Sequence, residues 1–278
     1  MKTILVPTEQ HDLMASTLQT ALLLARKFDS YIEGFALLPA MVELYALDAA
    51  VPLPIEVREH DAEVAKQARS LFETFMKDHG VARSNKTDGS MSFDWLDGAP
   101  DGDAFVGSHG RVFDAIVLGR PGAGRRSRPS MATIEAALFE AGRPVLIAPP
   151  APPQRMGENI LIAWNCSTEQ ARATAFAMPL LQRASRVVVL TVQGGTVPGP
   201  TGEQLARYLA RNGVPSEPFT ASAEGRSTGE AILAHASALN CDLLIKGAYT
   251  QSRLRQMMFG GATRHILAHA TLPVLMAH

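Results

Sequence analysis

The chain repeats itself, and the repeat limits the fold more than any other feature. Ile4-Leu5-Val6-Pro7-Thr8-Glu9 returns as Ile160-Leu161-Ile162-Ala163-Trp164-Asn165, an offset of 156 residues. Phe113-Asp114-Ala115-Ile116-Val117-Leu118-Gly119 returns as Cys241-Asp242-Leu243-Leu244-Ile245-Lys246-Gly247 at an offset of 128. Arg143-Pro144-Val145-Leu146-Ile147 returns as Leu272-Pro273-Val274-Leu275-Met276 at an offset of 129. Two copies in one order predict two tandem domains. The first copy holds 28 extra residues between its first and fourth strands, and the proline-rich stretch 38–54 supplies much of that excess. Pro149-Pro150-Ala151-Pro152-Pro153 marks the join, because stacked prolines stiffen a connector and cannot continue a strand. The domains are therefore read as 1–150 and 156–278.

Each copy alternates strand and helix. Strand candidates are 3–7, 31–37, 90–95, 115–118 and 145–148 in the first copy. In the second they are 160–164, 186–192, 217–221, 243–246 and 274–277. Continuous apolar runs such as Val187-Val188-Val189-Leu190 suit parallel strands covered on both faces. Leu18, Leu22, Ala25 and Phe28 recur at helical spacing, as do Ala171, Ala175, Met178 and Leu181. Ser167 with Gln170 reads as a capping box. The alternation predicts an α/β fold of two tandem doubly wound five-stranded parallel-sheet domains. Ligands of such sheets sit beyond the carboxyl ends of the strands at the switch point. Those ends carry Thr8-Glu9 or Trp164-Asn165, Val192, and Gly119 or Gly247. An uncovered last strand would expose unpaired backbone groups. Segments 145–148 and 274–277 are therefore expected to face each other about an internal pseudo-two-fold.

Composition excludes several functions. Hydrophobic residues are 46% and charged ones 19%, which suits a packed protein and not a disordered one. The formal net charge of -1 supplies no global field for nucleic acid or an acidic membrane. No apolar run approaches the roughly 20 residues that span a bilayer. The N-terminus enters a strand at once, and its apolar part is too short for a signal peptide. Cys166 and Cys241 make no disulfide framework and no four-ligand zinc site. They read as reduced thiols in a cytoplasmic protein.

The densest chemistry lies in 241–278. An apolar strand stops at Gly247, a polar loop carries Arg253 and Arg255, and Gly260-Gly261 precede a helical pattern over 262–270. Glycine lets backbone N–H groups approach a ligand, and a helix start adds partial positive charge. Together they make an anion site that needs few side chains. Gly247-x-x-Thr250, nine residues, then Gly260 resembles the G-x-x-G-x(9)-G-[S/T] nucleotide signature of the universal stress protein family. Gly247-Ala248-Tyr249, Ser252-Arg253-Leu254-Arg255 and Gly260-Gly261-Ala262-Thr263-Arg264-His265 are similar to that family as well. Thr250 stands where the second glycine belongs, and Gly261 stands where Ser or Thr belongs. Thr263 is the candidate for the missing hydroxyl.

The whole chain resembles a tandem universal stress protein. The resemblance implies adenine nucleotide alpha hydrolase-like domains of five parallel strands, often paired through the last strand. It implies ATP or AMP as ligand, with Mg²⁺ as the accompanying ion, and stress adaptation without assigned turnover. It also implies a homodimer or other protein partners, and neither nucleic acid nor membrane. By resemblance, Asn165, with Ala163 and Trp164 before it, contacts the adenosine part, where the family often has Asp. Val192 would line the adenine pocket. Gly247, Ser252, Arg253, Gly260, Gly261, Ala262 and Thr263 would hold ribose and phosphates. One alternative is a slow ATP hydrolase or phosphotransferase. It needs Mg²⁺ and a water-positioning base, and Asn165 cannot be that base. Asp242 lies at the wrong end of its strand. A nucleotide-free scaffold is the other alternative.

The first copy departs further from the signature. Gly119-Arg120-Pro121-Gly122, nine residues, then Ala132-Thr133 puts alanine at the last glycine. Counted back from Pro144, Met131 takes that place, so the register is open by one. Pro121 also removes an N–H donor. Arg120, Arg125, Arg126 and Arg128 form either a phosphate clamp or a solvated loop, and the second reading is preferred. One nucleotide site, in the second copy, is expected. His265 and His269 could face one metal, but no carboxylate or third histidine lies at ligand spacing. They are read as a helix surface. Cys166 follows the first strand of the second copy, near a helix start that could lower its pKa. A small residue in a tight turn is the preferred reading. Met257-Met258-Phe259 is either a partner patch or packing beneath the loop, and the second reading is preferred. No P-loop, dinucleotide fingerprint or nucleophile elbow occurs.

Overall fold

A computed structural model gives the structure and describes residues 1–39, 55–84, 89–121, 129–248 and 261–278, with backbone alone at 55–58. The chain forms two compact units, Met1–Arg143 and Pro144–His278.

The first unit runs β1 (Thr3–Thr8), α1 (Met14–Phe28), β2 (Tyr31–Ala36), α2 (Ile55–Asp78), β3 (Ala82–Arg83), β4 (Ser92–Leu96), α3 (Asp103–His109), β5 (Ala115–Leu118) and α4 (Met131–Glu140). Its strands are parallel, in the order β3-β4-β2-β1-β5. Ile4, Leu5 and Val6 are all buried, as expected for a strand covered on both faces. The α1 stripe Leu18, Leu22, Ala25 and Phe28 is buried. Phe72 of α2 meets Phe93 and Trp95 of β4 at ring-centroid distances of 5.8 and 5.4 Å. A Cβ on Gly34 of β2 would lie 2.7 Å from the Phe72 ring, so glycine permits this helix to close on the sheet. β4 starts two residues later than the sequence predicts, and β3 is an added two-residue strand.

The second unit runs β6 (Val145–Ile147), β7 (Asn159–Ala163), α5 (Thr168–Leu181), β8 (Arg186–Val192), α6 (Gly202–Arg211), β9 (Glu217–Ala221), α7 (Thr228–Ala238), β10 (Leu243–Gly247), α8 (Gly261–His269) and β11 (Val274–Ala277). Strand order is β6-β11-β10-β7-β8-β9. All pairs are parallel except β6 with β11, where Val145, Leu146 and Ile147 face Met276, Leu275 and Val274. This is the pairing expected for 145–148 and 274–277, and it covers the edge that β11 would otherwise present. The Asp242 carboxylate accepts from the backbone N–H groups of Gly157, Glu158 and Asn159, fixing the entry to β7. Its repeat counterpart Asp114 accepts from the N–H groups of Lys2 and Thr3 at the entry to β1.

Two local expectations about α5 need correction. Ala171 and Ala175 are exposed and Met178 is half-buried; the inward face is Gln170, Ala173, Thr174, Ala177, Leu180 and Leu181. The alanines of α5 lie on several sides of the helix, and Gln170 and Thr174 lie on its buried face, so apolar spacing alone does not choose that face. The Ser167 hydroxyl caps Gln170 N–H as expected, but the Gln170 side chain turns to β10 instead of back to the cap. Reciprocal capping boxes stand instead at Thr201/Gln204 and Ser227/Glu230.

Candidate functional site

In the second unit the chain leaves adjacent strands β7 and β10 in different directions, so their carboxyl ends define the switch point. Ala163, Trp164 and Asn165 stand at the end of β7, Val192 at the end of β8, and Gly247 at the end of β10. The first turn of α8 contributes Gly261, Ala262 and Thr263. Ser252, Arg253 and Gly260 lie outside the described residues, as do Thr250, Arg255 and Met257-Met258-Phe259.

The β7 end is closed by its own chain. Trp164 is 4% exposed, and its indole N–H donates to Pro200 O at 2.7 Å. Val197 N–H donates to Asn165 O at 3.0 Å, so the segment after β8 crosses over this end. The Asn165 side-chain oxygen accepts from Ser167 N–H at 3.2 Å, a local turn that uses the group expected to meet adenosine. Cys166 sits between them at φ 66°, a left-handed conformation uncommon for a residue with a Cβ. Burial pushes its thiol pKa up, against the lowered value that a helix start could give. Cys166 thus fills a tight turn and is not poised as a thiolate.

Gly247 is a packing glycine. A Cβ there would lie 2.4 Å from Gln170 N, in the first turn of α5. Its N–H donates to Gln170 Oε1 at 2.7 Å. Gly261 differs: among the described residues nothing stands within 4 Å of the place its Cβ would occupy. Thr263 is 4% exposed, and its hydroxyl accepts from the amine of Lys246 at 3.1 Å. Lys246 also donates to Gly247 O at 2.8 Å, and burial pushes its amine down to about 8. Sequence reasoning missed Lys246. The available signal was a lysine inside the apolar run Leu243-Leu244-Ile245, at the repeat position of Leu118.

The first unit places Gly119 against Thr17 of α1, 3.0 Å from the would-be Cβ. Thr133 and Thr263 are each the third residue of their helices, which aligns Met131 with Gly261. The Thr133 hydroxyl donates to Asp103 Oδ1 at 2.6 Å. Arg120 is half-buried with its pKa lowered by that burial, and Arg125, Arg126 and Arg128 lie outside the described residues. His265 and His269 stack on α8 at 4.4 Å between centroids. Among the described residues no group of three or more His, Cys, Asp or Glu side chains is arranged for a metal ion.

Residues 201–278 match the model described as the Universal stress protein family. The chain is similar in fold to a universal stress protein from Archaeoglobus fulgidus DSM 4304, with a TM-score of 0.72 at 16% identity, covering 99% of this chain and 97% of that one. It is also similar to a functionally unknown protein from Pseudomonas aeruginosa PAO1, with a TM-score of 0.56 at 16% identity, covering 100% of this chain and 92% of that one. None of the curated proteins matches it.

Proposed function

We propose that this chain, whose residues 201–278 match the Universal stress protein family model, is a stress-response protein that takes ATP or AMP in its second unit. It acts by binding, not by turnover. The observation that carries this reading is the start of α8 at Gly261, where no described residue occupies the space a Cβ would fill. The first N–H groups of a helix have no intrahelical partners and suit phosphate oxygens. Ala163, Asn165 and Val192 would take the adenosine part. Mg²⁺ is held by one or two carboxylates together with phosphate oxygens and water. Glu169 fits that need, since its Oε2 is buried in the first turn of α5 with no hydrogen-bond partner among the described residues. The ion would supply charge neutralisation at the phosphates.

Turnover would need a base that positions water. Asn165 has no basic group, and Asp242 is committed to three N–H groups at the opposite end of the sheet. A homodimer through the last strand would compete with β6, which already covers β11, so a second copy would use another surface. Cytoplasmic location is the reading that two free cysteines support. Among the described residues no helix is long and apolar enough to cross a membrane.

A second reading, a nucleotide-free scaffold, draws on the bond from Trp164 to Pro200 over the β7 end. Mass spectrometry of small molecules released from denatured protein, with calorimetric titration of ATP and AMP, separates the two. About one adenine nucleotide per chain is expected. No release and no heat at millimolar ATP would leave the scaffold.

A further inference from the structure

Lys246 is a cation inside an apolar strand. It is 6% exposed, and burial alone pushes its amine down to about 8. Its nitrogen has two acceptors, Gly247 O at 2.8 Å and Thr263 Oγ1 at 3.1 Å. Two acceptors satisfy a neutral amine. The third proton, which makes an ammonium, has no acceptor among the described residues, and no described carboxylate pairs with it. A buried charge in that state calls for an anion.

The two copies sharpen this point. Leu118 stands in the first copy where Lys246 stands in the second. Thr133 and Thr263 hold the same place in α4 and α8. One hydroxyl is bound to the carboxylate of Asp103 at 2.6 Å, the other to an amine at 3.1 Å. A carboxylate behind a helix start repels phosphate, and an ammonium there attracts it. The group bound to the helix hydroxyl has changed sign between the two places, a half-buried carboxylate in the first unit and a buried amine in the second.

We propose that Lys246 is the phosphate-selecting residue of the second unit: held behind the first turn of α8 by Thr263 and Gly247, its ammonium donates a third hydrogen bond to a nucleotide phosphate oxygen. The site therefore prefers a nucleotide carrying phosphates over the bare nucleoside. This rests on the nucleotide-binding reading above. Lysine serves here as a point charge that reaches one oxygen, without the forked geometry of arginine. With no anion present the amine ties β10 to α8 through its two bonds. With an anion present the same tie aims a charged donor at it.

The experiment titrates the intact chain with ATP and with adenosine at pH 7.5, in wild type, Lys246→Leu and Thr263→Val. Lys246→Leu restores the residue of the first copy, and Thr263→Val removes the hydroxyl that holds the amine. Both should weaken ATP by tenfold or more and leave adenosine unchanged; thermal midpoints report folding, and either variant suffices if the other fails to fold. Equal loss for ATP and adenosine, or no loss, would make Lys246 a structural tie and overturn the proposal. Wild type binding ATP and adenosine alike would also overturn it while the nucleotide reading stands. Wild type binding neither would remove that reading and the proposal together.

Discussion

Gln170 Oε1 accepts from Gly247 N–H at 2.7 Å, joining residues 77 apart in sequence. The other end of the same amide donates to Ile245 O at 3.4 Å. A side chain from the first turn of α5 thus continues the hydrogen bonding of β10 where the strand runs out. Gln170 is 1% exposed, so both of its polar atoms need these partners. Gly247 has no Cβ because that space is occupied by the α5 backbone, not because a ligand occupies it.

Gly247→Ala should therefore act on stability first. Its Cβ would meet Gln170 N at 2.4 Å and Glu169 C at 2.7 Å, both backbone atoms that cannot swing aside. A loss of about 3 kcal/mol is expected for such overpacking. Urea denaturation with and without ATP measures it. A variant of wild-type stability that has lost only nucleotide binding would return Gly247 to the ligand-facing role.

Lys246 predicts an unusual pH dependence. Its folded pKa is about 8 against 10.5 for an unperturbed lysine. Between those values the unfolded chain holds a proton that the folded chain has released, so stability rises with pH. From pH 7.5 to 9 the gain is about 1 kcal/mol. Cys241, pushed up to about 11 by burial, opposes this above about pH 9, where the unfolded thiol ionises first. Urea midpoints at pH 7.5, 8.25 and 9 should climb in wild type and stay level in Lys246→Leu. A level wild-type profile would mean that the folded amine keeps its proton across this range, as a solvated lysine does.

Trp164 reports on the seat expected for adenosine. Its ring is 4% exposed and tied to Pro200 O. The only other tryptophan is Trp95, so Trp95→Phe leaves one fluorophore. Saturating ATP should then change the Trp164 emission, because a ligand at the end of β7 must disturb the segment that covers the indole. Calorimetric binding with unaltered emission would place the nucleotide elsewhere.

Much of the fold was legible because buried parallel strands are short apolar runs, and the repeat doubled each reading. β5, β8, β9 and β11 begin and end where the sequence places them. The contacts that set the site were less legible, since each joins distant residues. Gln170 has a partner 77 residues away, and Asp242 binds N–H groups 83 to 85 residues away. Spacing saw Ser167 and Gln170 as a local box because local spacing holds no term for those partners. Lys246 was hidden by the apolar residues before it, which decide the strand without explaining the charge. Asn165 was read through a family role, while its own turn to Ser167 follows from asparagine beside a helix start.

The last prediction sets Gly261 against Met131. Each opens a helix after the fourth strand of its copy, α8 in the second unit and α4 in the first. Met131 already has a side chain there, and Asp103 sits behind it on Thr133. No described residue stands against Gly261, and Lys246 lies behind it on Thr263. Gly261→Met should therefore convert the second helix start to the first. Methionine is a good helix former and replaces a poor one, so the fold should lose nothing and could gain about 0.5–1 kcal/mol. Its side chain would fill the place where phosphate meets the free N–H groups, and ATP affinity should fall tenfold or more. Wild type should titrate with about one ATP per chain. Unchanged affinity in Gly261→Met would move the phosphate seat off α8. A stoichiometry near two would mean that a helix start carrying Met131 and a carboxylate still binds phosphate, and the charge argument for the second unit would lose its contrast.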